Sequence, residues 1–284
     1  MTKNLDIPGL KFAVDQYDLF FIDLWGVVHN GINLYQESIV VLEKLAEKNK
    51  EFVLLTNAPR PNYNVMDFLD RMGLEKKFYS KVYTSGEAAL SYLNTNLKNK
   101  TFFHIGPPRD FGLFNNFKKN KTQKTKEADY LLCTGLFDEH DKELSYYKKL
   151  LEKEVEKIMI CTNPDLIVDR GEKREFCAGS VAKVFEELGG EVEYFGKPFP
   201  KVYNQAANIK NKKILCIGDN LKTDIKGANN QNFDCLLITN GIHKEEIKNG
   251  KFEDIFIKYN AKVNYTQSKL KWWKNLNYIK IFQF

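Results

Sequence analysis

The stretch that most restricts what this chain can become is residues 17–31, Tyr17-Asp18-Leu19-Phe20-Phe21-Ile22-Asp23-Leu24-Trp25-Gly26-Val27-Val28-His29-Asn30-Gly31. Its first half is apolar, aromatic and β-branched, which predicts a buried strand. Gly26 and the Asn30-Gly31 pair predict tight turns after it. Asp23 stands where the apolar run gives way to the turn, so its carboxylate faces the open end of a sheet. Open α/β sheets bind ligands at that edge. Taken alone, such a carboxylate is readable as a nucleophile, a metal ligand or a turn cap.

The rest of the chain alternates strand and helix patterns, the signature of a doubly wound parallel α/β sheet. A helix is expected over Ser38 to Asn49, a strand over Phe52 to Leu55, and a helix through Val65, Phe68, Leu69 and Met72. Lys81 to Thr84 is expected as a third strand, followed by a helix from Ser85. The polar segment Asn94 to Lys100 reads as a boundary. Beyond it come strands at Phe102–Gly106, Tyr130–Gly135 and Ile158–Cys161, a helix over Lys142 to Lys157, and a helix through Val181 to Leu188. These predict a second α/β domain at 101–190, inserted into a core made of 1–100 and 191–284. The core resumes with strands at Val192–Phe195, Lys213–Ile217 and Cys235–Thr239, and helices at Val202–Ile209 and Ile225–Asn230.

Composition narrows the function classes. Among 284 residues, 37 acidic side chains are interspersed with 43 basic ones, so the net charge of +6 does not mark a dedicated nucleic-acid binder, although it suits anionic small substrates. The five cysteines are scattered with no CxxC pair, which argues against a zinc site or a disulfide framework and for a reducing compartment. No apolar signal core or membrane-length run is present, so a cytoplasmic protein without nucleic-acid or membrane partners is expected. The tail from Asn264 to Phe284 is rich in Lys, Trp, Tyr and Ile. It is expected to pack its aromatics on the core rather than serve as an anchor.

Four strand ends carry, in order, Asp23, Thr56-Asn57, Lys197, and Asp219 with Asp224. In a parallel sheet such ends share one edge. Asp23 and Asp219, with a backbone carbonyl after the first strand, make a hard-oxygen Mg2+ site. The Thr56 hydroxyl, the backbone N–H groups after it and the Lys197 ammonium suit phosphate oxygens. A carboxylate attacking phosphorus gives an aspartyl-phosphate, and it needs a cation to approach an anionic group.

Asp23-Leu24-Trp25-Gly26-Val27, Leu55-Thr56-Asn57, Gly196-Lys197-Pro198 and Gly218-Asp219-Asn220-Leu221-Lys222-Thr223-Asp224 together resemble the four motifs of the haloacid dehalogenase superfamily. Their order and the long insertion between the second and third resemble its class IIA branch, the nitrophenylphosphatase-, pyridoxal-phosphate phosphatase- and phosphoglycolate phosphatase-like enzymes. Thr162-Asn163-Pro164-Asp165 and Ala178-Gly179-Ser180 resemble that branch's cap domain. The resemblance implies Asp23 as nucleophile and Mg2+ ligand, Trp25 as a ligand through its carbonyl, and Asp219 as the remaining carboxylate ligand. It implies phosphate binding by Thr56 and Asn57, and neutralisation by Lys197. Asp224 and Asn220 would support the metal shell or Lys197, and Asn163, Asp165, Gly179 and Ser180 would be the cap's contacts with substrate. Arg170 is a weaker candidate for the same face. A homodimer through the cap is the self-association such a fold suggests.

One position departs from the pattern. Where family phosphatases carry a second aspartate as general acid and base, this chain has Trp25, which cannot exchange a proton with substrate. The substrate then has a good leaving group, or another group such as His29 supplies the proton, or the protein binds a phosphometabolite and turns it over slowly or not at all. Two functions follow: a Mg2+-dependent phosphohydrolase of a small phosphorylated metabolite, and a non-catalytic phosphometabolite-binding protein on the same scaffold.

Overall fold

The computed structural model describes residues 2–171 and 173–273. In chain order its strands are β1 (Lys3–Asn4), β2 (Leu19–Ile22), β3 (Glu51–Thr56), β4 (Val82–Thr84), β5 (Phe102–Ile105), β6 (Tyr130–Cys133) and β7 (Ile158–Cys161). They continue with β8 (Ile167–Arg170), β9 (Lys173–Phe176), β10 (Glu191–Tyr194), β11 (Ile214–Gly218), β12 (Asp234–Ile238) and β13 (Tyr265–Gln267). The chain divides into two compact units, Met1–Phe52 with Lys210–Phe284, and Val53–Ile209.

In the first unit the strands run β1-β13-β12-β11-β2, every neighbouring pair parallel. β2 and β11 are buried along their whole length, as their unbroken apolar sequences require. Cys216 pairs with Phe21 and Ile217 with Ile22, so β2 and β11 end side by side, and Asp23 and Asp219 follow directly. The helix Gln36–Glu47 begins and ends two residues earlier than its pattern suggests. Asn49 takes a positive φ of 53°, and the Lys50 N–H bonds the Leu45 carbonyl, closing the helix there. β13 and the segment after it bring Trp272 into the core, while Trp273 is 54% exposed. The remainder of the Lys-Trp-rich tail lies outside the described residues.

The second unit holds the parallel pair β3-β4, a four-stranded parallel sheet β10-β7-β6-β5, and the hairpin β8-β9. The core around the four-stranded sheet gathers Ile105, Leu131, Met159, Val181, Ala182 and Phe185, all fully buried. The helix Ala178–Glu187 carries the last three at the spacing of one apolar face. The helix expected over Lys142 to Lys157 is shorter, Leu144–Leu151. Its would-be last turns are drawn elsewhere: Glu154 accepts hydrogen bonds from Thr125 (2.8 Å) and Lys157 (2.7 Å), and Lys157 also donates to the Thr125 carbonyl. All five cysteines are buried free thiols, and among the described residues no helix is long and apolar enough to cross a membrane.

Phe185 supplies the largest side chain on the buried face of its helix, so Phe185→Ala is expected to cost about 3–5 kcal/mol. Chemical denaturation checks this, and a loss below about 1 kcal/mol would mean the second unit's core is not packed as described.

Candidate active site

In the first unit, the end of β2 is shaped by its own loop. The Asp23 N–H continues the ladder to the Ile217 carbonyl at 2.8 Å, and the chain then turns at Gly26, whose φ is 79°. The Leu24 carbonyl receives the N–H groups of Val28 (2.8 Å) and His29 (3.0 Å), and the Gly26 N–H bonds the His29 carbonyl at 2.8 Å. Ser38 fixes this turn from the following helix by donating to the Val27 carbonyl at 2.6 Å. The loop is thus tied at both ends, and Asp23 is held at its mouth.

After β11 the chain enters a single π-helical turn, Leu221–Ile225, a wide turn that often marks functional sites. Asn220 caps it, its side chain accepting the Lys222 N–H at 2.9 Å. The Asn220 N–H in turn donates to Asp224 Oδ2 at 3.1 Å, and the Asp224 N–H to the Asn220 carbonyl at 3.0 Å. Asp219 Oδ2 accepts the Ile242 N–H at 2.9 Å from the loop after β12.

The result is a group of three carboxylates, Asp23, Asp219 and Asp224, each offering an oxygen within 4.8 Å of the others. Two glycines make this possible. A Cβ on Gly26 would come to 2.1 Å from Asp219 Oδ2, and one on Gly241 to 2.0 Å from the same atom. An all-oxygen acidic set of this kind suits a hard divalent cation.

Trp25 turns back on its own loop. Its indole meets the His29 ring edge-on at 5.1 Å, and a Cβ on Gly31 would lie 2.5 Å from Trp25 Cζ2. His29 is buried, and its Nδ1 accepts the Gly31 N–H at 3.0 Å. That nitrogen is committed to the turn, so His29 serves the loop in the way a buried turn histidine does. Tyr35 is a neighbour that sequence reasoning missed: burial and the Asp219 charge both push its phenol above the usual range.

In the second unit Thr56, Asn57 and Lys197 are buried and come together. Asn57 brackets Lys197: its Oδ1 accepts the Lys197 N–H at 2.7 Å, and its Nδ2 donates to the Lys197 carbonyl at 3.0 Å. Lys197 Nζ donates to the Leu55 carbonyl at 2.9 Å, beside Thr56. The side chain of Asn57 therefore holds the backbone of Lys197. The resemblance implied phosphate binding by Asn57, whereas here both ends of its amide are taken by the Lys197 backbone.

The insertion's candidates also have structural work. Ser180 Oγ donates to the Leu166 carbonyl at 2.6 Å. A Cβ on Gly179 would lie 2.3 Å from the Pro164 carbonyl oxygen and 2.6 Å from that of Asp165. Asn163 Oδ1 accepts the Asp165 N–H at 3.1 Å, an Asx turn. Gly179 and Ser180 thus seat the loop 163–166 against their helix. Arg170 lies on the exposed hairpin β8-β9, paired with Glu175.

With this geometry in view, the comparisons with known proteins are specific. Residues 20–118 match the family described as haloacid dehalogenase-like hydrolase, and residues 194–257 match a HAD-hydrolase-like family. The two stretches contain Asp23, Thr56, Asn57, Lys197, Asp219 and Asp224. This chain belongs to the haloacid dehalogenase superfamily. A haloacid dehalogenase-like hydrolase from Brucella suis has a similar structure, with a TM-score of 0.80 and 29% identity over 92% of this chain and 98% of that one. A 4-nitrophenylphosphatase of Schizosaccharomyces pombe is 23% identical over 279 residues, 87% of this chain and 92% of that protein. A dihydroxyacetone phosphatase of Corynebacterium glutamicum is 26% identical over 238 residues, 78% of this chain and 81% of that protein. As a superfamily member of this type, the chain resembles the class IIA nitrophenylphosphatase-like hydrolases.

Two substitutions test the two halves of the motif set. Gly241→Ala would drive a methyl group into Asp219, and it is expected to weaken Mg2+ binding at least about tenfold by calorimetry. Unchanged affinity would mean Asp219 is not a ligand. Asn57→Ala removes both bonds to the Lys197 backbone and is expected to lower kcat/KM for an aryl phosphate about 10- to 100-fold. A change below about threefold would show that Lys197 needs no bracket.

Proposed function

We propose that the chain is a Mg2+-dependent phosphohydrolase of a small phosphorylated metabolite, working through an aspartyl-phosphate on Asp23. Family membership makes it a haloacid dehalogenase-type phosphatase, a hydrolase of phosphoric esters. The residue roles and mechanism are our reading. The observation that carries it is the trio of Asp23, Asp219 and Asp224, with oxygens within 4.8 Å of one another. Three carboxylates so close repel one another unless a cation joins them. The donors fit Mg2+: every one is a hard oxygen, and Gly26 and Gly241 leave clear the space beside Asp219.

In this reading Asp23, Asp219 and the Trp25 carbonyl hold the ion, and Asp224 and Asn220 orient the set. When bound, Mg2+ neutralises charge between the nucleophile and the phosphoryl group. An Asp23 oxygen forms a bond to phosphorus as the bond from phosphorus to the leaving oxygen breaks. Water then attacks that phosphorus, releasing inorganic phosphate and restoring Asp23. The Thr56 hydroxyl, the N–H groups after it and Lys197 hold the phosphoryl oxygens. Asn57 acts chiefly by fixing Lys197. Residues 101–190 form the substrate-selecting cap, with Asp165 and Asn163 on a loop that Gly179 and Ser180 seat.

The leaving group decides the substrate class. General acid help is worth ~10²–10⁴-fold, and Trp25 offers none. His29 is 2% exposed, buried against the indole of Trp25 with its Nδ1 taken by the Gly31 N–H. Substrates whose leaving oxygen needs little protonation (aryl, enol or acyl phosphates) are therefore favoured.

Phosphate release from 4-nitrophenyl phosphate, acetyl phosphate and glycerol phosphate, with and without Mg2+, tests both parts. The expected result is turnover of the first two at least about 100-fold faster than the third. Asp23→Asn should fall to background. Release no greater than in that variant on every substrate would leave a phosphometabolite-binding protein. Equal rates on all three would refute the role assigned to Trp25.

A further inference from the structure

Just after Thr56-Asn57, the loop carries Ala58, Pro59 and Arg60. Its backbone is held firmly within the second unit. The Ala58 carbonyl accepts Ser85 Oγ (2.9 Å) and the Gly86 N–H (3.0 Å), and the Arg60 carbonyl accepts Thr84 Oγ1 (2.5 Å). Close approach is built in, since a Cβ on Gly86 would lie 2.4 Å from the Arg60 nitrogen. On the neighbouring side, a Cβ on Gly196 would lie 2.5 Å from Asn57 Oδ1 and 2.8 Å from Ser85 Cβ. Ser85 and Gly86 therefore stand with the Lys197 bracket on one side and the backbone of Arg60 on the other.

The Arg60 side chain is anchored by one edge only. Its Nε donates to Asp110 Oδ1 at 2.6 Å; the Asp110 side chain is 3% exposed, that of Arg60 32%. Burial pushes the Asp110 pKa up, and Arg60 and then Thr134 pull it back; Thr134 Oγ1 in turn meets His104 Nε2 at 2.8 Å. Burial, and then the nearby Lys121 charge, push the His104 pKa down to about 3, so its ring is neutral. A neutral imidazole can donate through Nε2–H to the Thr134 hydroxyl. Among the described residues no acceptor takes the terminal Nη groups of Arg60. A guanidinium held at Nε still presents the two-pronged donor edge that fits a carboxylate or phosphate.

We propose that Arg60 is a specificity residue that binds a second anionic group, carboxylate or phosphate, on the substrate whose phosphoryl group Thr56 and Lys197 receive. The assignment rests on the phosphatase reading above. A simple tether between the loop and the protein would not need a carboxylate buried to 3% exposure under one half-exposed guanidinium. A recognition residue does, because its donor edge has to be fixed before the ligand arrives.

Equilibrium binding separates the two. Calorimetry with Mg2+ on Asp23→Asn protein, which cannot turn substrate over, compares three ligands: 3-hydroxypropyl phosphate, 3-(phosphonooxy)propanoate and propane-1,3-diyl bisphosphate. The expected result is binding about 10- to 100-fold tighter for one or both anionic-ended ligands than for the hydroxyl-ended one. Adding Arg60→Met should collapse that ratio to about one, and Arg60→Lys should retain part of it. Whichever end group gains more identifies the second anion. Because Arg60→Met leaves Asp110 buried without its partner, the pair Arg60→Met with Asp110→Asn serves the same purpose if the single variant does not fold. A ratio near one in the starting protein, or one that survives the loss of Arg60, overturns the proposal. Phosphate release by the wild-type enzyme is read separately, so either failure is recognisable by itself.

Discussion

Three carboxylates gathered within 4.8 Å are the constraint on which the first unit turns. Two like charges about 4 Å apart oppose each other by ~4 kcal/mol at the screening typical near a protein surface. The fold counters this in part with backbone donors: Ile242 N–H on Asp219, and Asn220 N–H on Asp224. Both donors come from loops that leave the ends of parallel strands, where N–H groups are not consumed by the ladder. A sheet that ended its strands elsewhere could bring three aspartates together only at a larger cost. Parallel register between β2 and β11 is therefore what brings the acidic cluster together, and in the reading proposed above a cation would make it favourable.

The second unit solves the opposite problem, that of holding a buried ammonium. Lys197 is 4% exposed and its Nζ finds the Leu55 carbonyl. Burial takes water away from a cation, so the acceptors and anions around such a group decide whether it is stable there. Asn57 removes the remaining freedom by taking both the N–H and the carbonyl of the same residue. The backbone that carries the charge is thus fixed in place, the condition under which electrostatic stabilisation costs no reorganisation during reaction.

Much of this was legible in the sequence because each motif sits where an apolar run stops. Asp23 after Leu19–Ile22 and Asp219 after Ile214–Gly218 needed only the rule that strand ends face the ligand edge. Harder to read were partners chosen across the chain. That Ser180 Oγ would go to the Leu166 carbonyl, or that Arg60 would find Asp110, depends on loops brought together by packing, and nothing local encodes it. The hairpin β8-β9 was invisible for another reason. Its strands, Ile-Val-Asp-Arg and Lys-Arg-Glu-Phe, bury little and are laced with ion pairs such as Arg174 with Asp169, so they show neither a buried run nor a clean alternation. The over-long helix at 142–157 failed because Glu154 and Lys157 bond to Thr125 rather than continue a helical turn.

Residue 25 shows how the backbone and the side chain of one position can serve different ends. The path of the chain there is set by Gly26 at positive φ and by the hydrogen bonds into the Leu24 and His29 carbonyls. None of these involves the side chain. The indole instead finds room over Gly31 and against the edge of His29, surfaces supplied by the same loop. A main-chain carbonyl at this place is therefore indifferent to what the side chain is, whereas any proton transfer from this place is not. The ring at residue 25 does depend on a glycine at 31, since a Cβ there would lie 2.5 Å from Trp25 Cζ2. In the reading proposed above, the side chain at residue 25 would then bear on the leaving group while the hydrogen bonds of the turn stay as they are.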